Sequence, residues 1–188
     1  MNNNLSQAQY LKTTTRKELI SQVQAEFNQQ FKSEPKYLSL TPGRINIIGE
    51  HTDYNDGLAM PAAIDRWICA AVHINSNKSS TIYSLSYNEG VVITPQAPEK
   101  FKRIWKQLTA MAINLITTEF DITQGVNMAL GSNIPIGCGL SSSTAFVIAI
   151  TQTICQFFSI RIRGRKLAYL CQRIENDALG INGGLLDQ

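Results

Sequence analysis

Charge is scarce in this chain. Lys, Arg, Asp and Glu make up 16% of its 188 residues, and 17 basic against 14 acidic side chains leave a formal net charge of only +3. The basic residues are scattered with no dense run, so the electrostatic footprint of a nucleic-acid binder is missing. Long apolar runs are missing too. The longest, Ala145 to Phe158, is interrupted by Thr151, Gln152, Thr153 and Gln156, which makes it too short and too polar to span a bilayer. The opening Met1-Asn2-Asn3-Asn4 lacks the apolar segment of a signal peptide. Cysteine occurs four times (Cys69, Cys138, Cys155, Cys171), with no CxxC pair and no His at metal-site spacing. Reduced, buried thiols are therefore expected, and with them a cytoplasmic protein. No internal repeat or low-complexity linker divides the chain, and 44% hydrophobic residues suffice for a packed core.

The periodicities give a coarse order of elements. Ser6 to Phe31 reads as one or two helices, with Val23, Phe27 and Phe31 on one stripe. Tyr37 to Leu40 reads as a strand stopped by Thr41-Pro42-Gly43, and Ile45 to Ile48 as a second short strand. Tyr54-Asn55-Asp56-Gly57 carries the Asp-Gly signal of a turn. Trp67 to Ile74, Thr81 to Tyr87 and Val91 to Thr94 read as strands, with a polar turn over residues 75–80. Phe101 to Thr118 is expected to be a helix with its apolar stripe at Ile104, Leu108, Met111, Ala112 and Leu115. Gly125 to Leu130 alternates as a strand, with Val126, Met128 and Leu130 on one face. Ser142 to Phe158 and Arg165 to Ala178 read as helices, followed by a Gly-rich loop to Gln188. Strands first, then helix, strand, helix, helix fits an α+β domain with a mixed sheet better than a parallel βαβ array.

Two stretches carry chemistry. Arg44, Glu50, His51 and Asp53 fall within ten residues, hinged by Gly43 and Gly49. They could form a solvated ion-pair cluster. The flanking Ile45, Ile47, Ile48 and Met60 favour a half-buried position, where charges need partners. That suits a small, hydroxyl-rich molecule. The second stretch is Pro135-Ile136-Gly137-Cys138-Gly139-Leu140-Ser141-Ser142-Ser143, running into an apolar helix. Glycines let several backbone N–H groups converge on a phosphate, and a helix N-terminus adds unpaired N–H groups and a favourable dipole. The serines could instead cap the helix, or one hydroxyl could reach a Mg²⁺ ion. No Lys precedes them, so this is not a Walker A loop. Together the two stretches point to phosphoryl transfer to a sugar.

The second stretch resembles the Pro-x-x-x-Gly-Leu-Ser-Ser-Ser-Ala motif of the GHMP kinase superfamily, with Thr144 where Ala or Ser is more usual. The run from Gly43 to Gly57, continued by Pro61-Ala62-Ala63-Ile64-Asp65, resembles the galactokinase signature almost residue for residue, and Gly184 with Asp187-Gln188 resembles that family's Gly-Ile-Met-Asp-Gln stretch. The resemblance runs from about Tyr37 to Gln188 and corresponds to the N-terminal half of a galactokinase. It implies one N-terminal GHMP kinase domain over residues 1–188, with the ribosomal protein S5 domain 2-like fold and its helices on one side of the sheet. The C-terminal GHMP domain is expected to be absent from this chain, which could be inactive alone. The implied reaction is ATP-dependent phosphorylation of α-D-galactose at C1, with Mg²⁺.

By the same resemblance, Asp187 is the catalytic base, held ionised by a nearby Arg44 that stabilises the reacting centre. Glu50, His51, Thr52, Asp53 and Gly184 would bind the sugar. Gly137, Cys138, Gly139, Leu140, Ser141, Ser142, Ser143 and Ser84 would bind ATP, and Ser143 and Glu175 would hold Mg²⁺. Without the family, Glu175 would read as an exposed helix carboxylate, Ser84 equally as a surface serine, and Trp105 as core more than as a neighbour of adenine. His73 reads as structural. A non-catalytic galactose and ATP sensor, or a GHMP kinase for another sugar, are the alternatives. No nucleic-acid or membrane partner is expected, and a monomer is.

Overall fold

In the computed structural model of the chain, residues 14–49, 57–95, 100–135, 140–186 and 188 are described. The first element is helix α1 (Arg16–Phe31). The Thr15 hydroxyl accepts from the Glu18 N–H at 3.2 Å, and the Glu18 carboxylate accepts from the Thr15 N–H at 2.8 Å. This reciprocal cap explains a start at Arg16; the stretch from Ser6 to Thr13 lies outside the described residues.

Five strands form one sheet: β1 (Tyr37–Ile48), β2 (Met60–Ile74), β3 (Ser80–Ser84), β4 (Glu89–Ile93) and β5 (Val126–Ser132), in the order β1-β2-β5-β3-β4. Among the described residues only β3 and β5 pair in parallel. The mixed sheet agrees with the expected α+β class. The helix α2 (Ile104–Glu119) precedes β5, and α3 (Ser142–Phe157) and α4 (Arg165–Leu179) follow it. No helix among the described residues is long and apolar enough to cross a membrane.

Several expectations need correction. Pro42-Gly43 does not break β1, which continues to Ile48 with a register irregularity between Pro42 and Arg44. The strand lies at the sheet edge, where the N–H that proline lacks is not required. The β2 strand begins at Met60, not Trp67, because its Pro- and Ala-rich start is recruited by pairing with β1. On α2, Ile104 is 63% exposed while Trp105, Leu108, Ala112, Ile113 and Ile116 are buried. That helix is apolar around most of its circumference, so contact with the sheet and with α3 and α4 selects the stripe.

The helices are not confined to one side. Ile68, Ala70 and Val72 of β2, with Val126, Met128 and Leu130 of β5, pack in the cluster of α2, α3 and α4. Cys69, Ala71 and Ala129 point the other way, to Leu19, Val23 and Phe27 of α1. Side chains alternate along a strand, so α1 covers the opposite face. The central strands are therefore apolar on both faces.

Cys69, Cys155 and Cys171 are free thiols inside these layers, as expected; Cys138 lies outside the described residues. Burial pushes the Cys69 and Cys171 thiols up to about 12, and burial aided by Glu119 pushes Cys155 up to about 11. The thiolate is the nucleophile, so at pH 8 iodoacetamide should spare Cys69, Cys155 and Cys171 in the folded chain and label all three after denaturation. Rapid labelling of Cys69, Cys155 or Cys171 without unfolding would contradict this packing.

Candidate functional site

The start of α3 organises the site. Ser141, its N-cap residue, takes a left-handed conformation (φ 47°, ψ 45°) and makes no capping hydrogen bond through its side chain. The Ser141 side chain therefore does not cap α3. Ser142 and Ser143 form the first turn and line a cavity of about 270 Å³. Ser84, at the end of β3, is 2% exposed and lines the same cavity. Its far wall is Tyr87 stacked on Trp105, ring centroids 5.5 Å apart and planes 7° apart. Trp105 is both core and wall. The cavity thus joins a hydroxyl-rich helix N-terminus to an apolar aromatic surface, which suits an anion carrying a flat ring.

Sequence reasoning missed Ser86, Tyr87 and Ser132, which also line this cavity. Tyr87 sits in the turn between β3 and β4 rather than in a strand. It meets Trp105 only through the folding of α2 against the sheet. In the structure Glu89 holds Arg103 at 3.3 Å and Lys106 at 3.1 Å on either side of Trp105, contacts that no local pattern in the sequence signals.

Glu175 is not an exposed helix carboxylate. It is 7% exposed, and its Oε2 accepts from the Thr144 hydroxyl at 2.8 Å and from Gln188 Nε2 at 3.2 Å. A buried carboxylate with neutral partners has unused capacity for a cation. Glu175 and the nearby first-turn hydroxyls are hard oxygen donors, and no group of three or more His, Cys, Asp or Glu gathers among the described residues. Hard oxygen donors are the kind that Mg²⁺ takes. The residues therefore fit that ion.

The approach of β1 brings Arg44 alongside. A Cβ on Gly43 would lie 3.3 Å from the Leu140 carbonyl and 3.1 Å from Ile134 Cδ1. The missing side chain lets the strand pack against the end of the Gly/Ser loop, and Arg44, half-buried, is the next residue. Beyond α4 the chain folds back on the helix. Asn176 Oδ1 accepts from the Gly183 N–H at 3.0 Å, and Gln172 Nε2 donates to the Gly183 carbonyl at 2.8 Å. This fixes the neighbourhood of Gly184. Glu50, His51, Thr52, Asp53, Gly137, Cys138, Gly139, Asp187 and the turn at 54–56 lie outside the described residues. His73 bonds through Nδ1 to the Ile74 carbonyl at 3.1 Å, away from the cavity lining.

The galactokinase galactose-binding signature matches residues 25–74, and the GHMP kinases N terminal domain matches residues 102–188. The chain is 32% identical to galactokinases of Roseiflexus sp. (strain RS-1) and Clostridium perfringens (strain 13 / Type A), over 89% and 90% of its own length and 43% and 45% of theirs. It thus spans less than half the length of these curated relatives. Among solved structures, a Lactococcus lactis galactokinase complexed with galactose superposes with a TM-score of 0.80 at 28% identity, over 89% of this chain and 44% of that one. The Methanococcus jannaschii mevalonate kinase, at 20% identity and TM-score 0.69 over 80% of this chain and 49% of its own, shares the fold.

Proposed function

We propose that the chain belongs to the GHMP kinases and that it provides the ATP and galactose sites of a galactokinase. In this reading residues 1–188 act as one N-terminal GHMP kinase domain. The observation that carries the proposal is the cavity joining Ser142, Ser143 and Ser84 to the Tyr87–Trp105 wall, with the buried Glu175 carboxylate reaching the start of α3 through Thr144. The serine end takes the phosphates and the aromatic end takes adenine. The galactose in the Lactococcus lactis relative and the galactose-binding signature over 25–74 supply the acceptor.

The chemistry follows from these residues. The C1 hydroxyl oxygen of α-D-galactose attacks the γ-phosphorus of ATP; its proton is lost and ADP leaves. Asp187 orients or accepts that proton. Arg44 stabilises charge on the transferring phosphoryl group, and backbone N–H groups from Gly137 to Ser143 hold the phosphates. Glu50, His51, Thr52, Asp53 and Gly184 fix the sugar by hydrogen bonds to its hydroxyls. Ser143 and Glu175 would hold a Mg²⁺ ion, which when bound neutralises phosphate charge.

A sugar panel tests this, with binding and turnover read separately. Galactose should bind and be phosphorylated in preference to N-acetylgalactosamine, arabinose, mevalonate and homoserine. Preference for another acceptor of that panel would overturn the galactose assignment. Galactose binding with no turnover in any length of the protein would favour a sensor.

A further inference from the structure

We propose that Thr144 is a positioning residue for the cation site, holding Glu175 by Oε2 and leaving Oε1 to the divalent ion. This rests on the reading of Glu175 as the carboxylate that holds Mg²⁺. The first observation is where the Thr144 hydroxyl goes. Helical threonines commonly bond back to the carbonyl one turn earlier, and in this chain Thr109 donates to the Trp105 carbonyl, Thr117 to Ile113 and Thr153 to Ala149, at 2.7, 2.7 and 2.5 Å. Thr144 instead donates across to another helix, to Glu175 Oε2 at 2.8 Å. It can do so because it stands in the first turn of α3, next to Ser143.

The second observation is burial. Thr144 is 2% exposed and Glu175 is 7% exposed, so water does not compete freely for this bond. The third is convergence. Gln188, in the loop that follows α4, donates to the same Oε2 at 3.2 Å. Two neutral donors on one oxygen fix the plane of the carboxylate without consuming its charge. They also tie the Gly/Ser loop and the C-terminal loop to one group. A partner that orients a ligating carboxylate governs cation affinity more than it governs nucleotide affinity.

The test is calorimetric titration of the chain with AMPPNP, a non-hydrolysable ATP analogue, in MgCl₂ and in EDTA. In the unaltered chain Mg²⁺ should tighten binding. Thr144→Val should reduce that tightening about tenfold, with the affinity in EDTA unchanged. Thr144→Ser, which keeps the hydroxyl, should restore it. Thermal unfolding of each sample checks the fold. Thr144→Ala, the residue more usual in the motif, carries the same expectation as Thr144→Val should the latter not fold. Undiminished Mg²⁺ tightening in the Val and Ala variants would overturn the proposal. Equal weakening in MgCl₂ and EDTA would overturn it too, assigning Thr144 to the helix start alone. No Mg²⁺ tightening in the unaltered chain would remove the cation-site reading and this proposal with it.

Discussion

On the proposed galactokinase reading, Asp187→Asn should lower kcat for galactose phosphorylation by roughly 10²- to 10⁴-fold, the range for losing a positioned proton acceptor. Asparagine keeps the size of the side chain and one acceptor oxygen, so sugar binding should change little and KM should stay within about threefold, the pattern of an interaction made in the transition state. The position within that range is informative. Phosphoryl transfer passes through a loose transition state in which the attacking hydroxyl has little need to be deprotonated early. A loss near a hundredfold would mean that the carboxylate mainly orients the hydroxyl. A loss near ten-thousandfold would mean that it takes the proton. A kcat within fivefold of the unaltered protein would remove Asp187 from the reaction. The comparison is made at fixed saturating Mg²⁺ and ATP, so that Glu175 and the phosphate loop contribute equally to both proteins.

The motifs were the most legible part of this chain, because a Gly/Ser loop before an apolar helix, and a dense set of ionisable side chains between isoleucines, are local in sequence. Strand and helix identities were legible for the same reason. What escaped was set by contacts between distant segments. Glu175 lies between Ile174 and Asn176 on α4, and nothing local distinguishes it from a surface carboxylate. Its burial depends on Thr144 and Gln188. The Tyr87–Trp105 wall likewise depends on α2 lying against the sheet. Pro42 misled because the cost of proline in a strand depends on whether a neighbour needs its N–H, and strand order is invisible in sequence. The placement of α1 did leave a trace. Ile68-Cys69-Ala70-Ala71-Val72 is continuously apolar, and a strand without alternation is one buried on both faces. That run called for an element on each side of β2.

The largest structural effect should come from Phe27→Ala, at about 3–5 kcal/mol of lost stability. Phe27 is 0% exposed and packs with Leu19 and Val23 on the sheet face formed by Cys69, Ala71 and Ala129. The upper half of the range is expected because the site cannot collapse. The centre of the sheet offers small side chains, with Leu38, Leu40 and Trp67 partly buried around them, and β2 and β5, which carry the small ones, are each paired on both edges. On the helix side, Phe31 stacks obliquely on Phe27 at 4.8 Å and would lose that partner as well. At roughly 2–4 °C per kcal/mol for a domain of this size, Tm should fall by about 8–20 °C. Gln24→Ala, on the exposed side of the same helix, should shift stability by no more than about 0.5 kcal/mol. The helix also supports the candidate site from behind. A Cβ on Gly131 would come within 2.5 Å of Val23 Cγ2, and Gly131 lines the cavity between Leu130 and Ser132. Phe27 itself does not line the cavity, so below its lowered Tm Phe27→Ala should keep its nucleotide affinity. A Tm shift under about 3 °C would mean instead that α1 unfolds independently and that the sheet needs only the three helices on its other face.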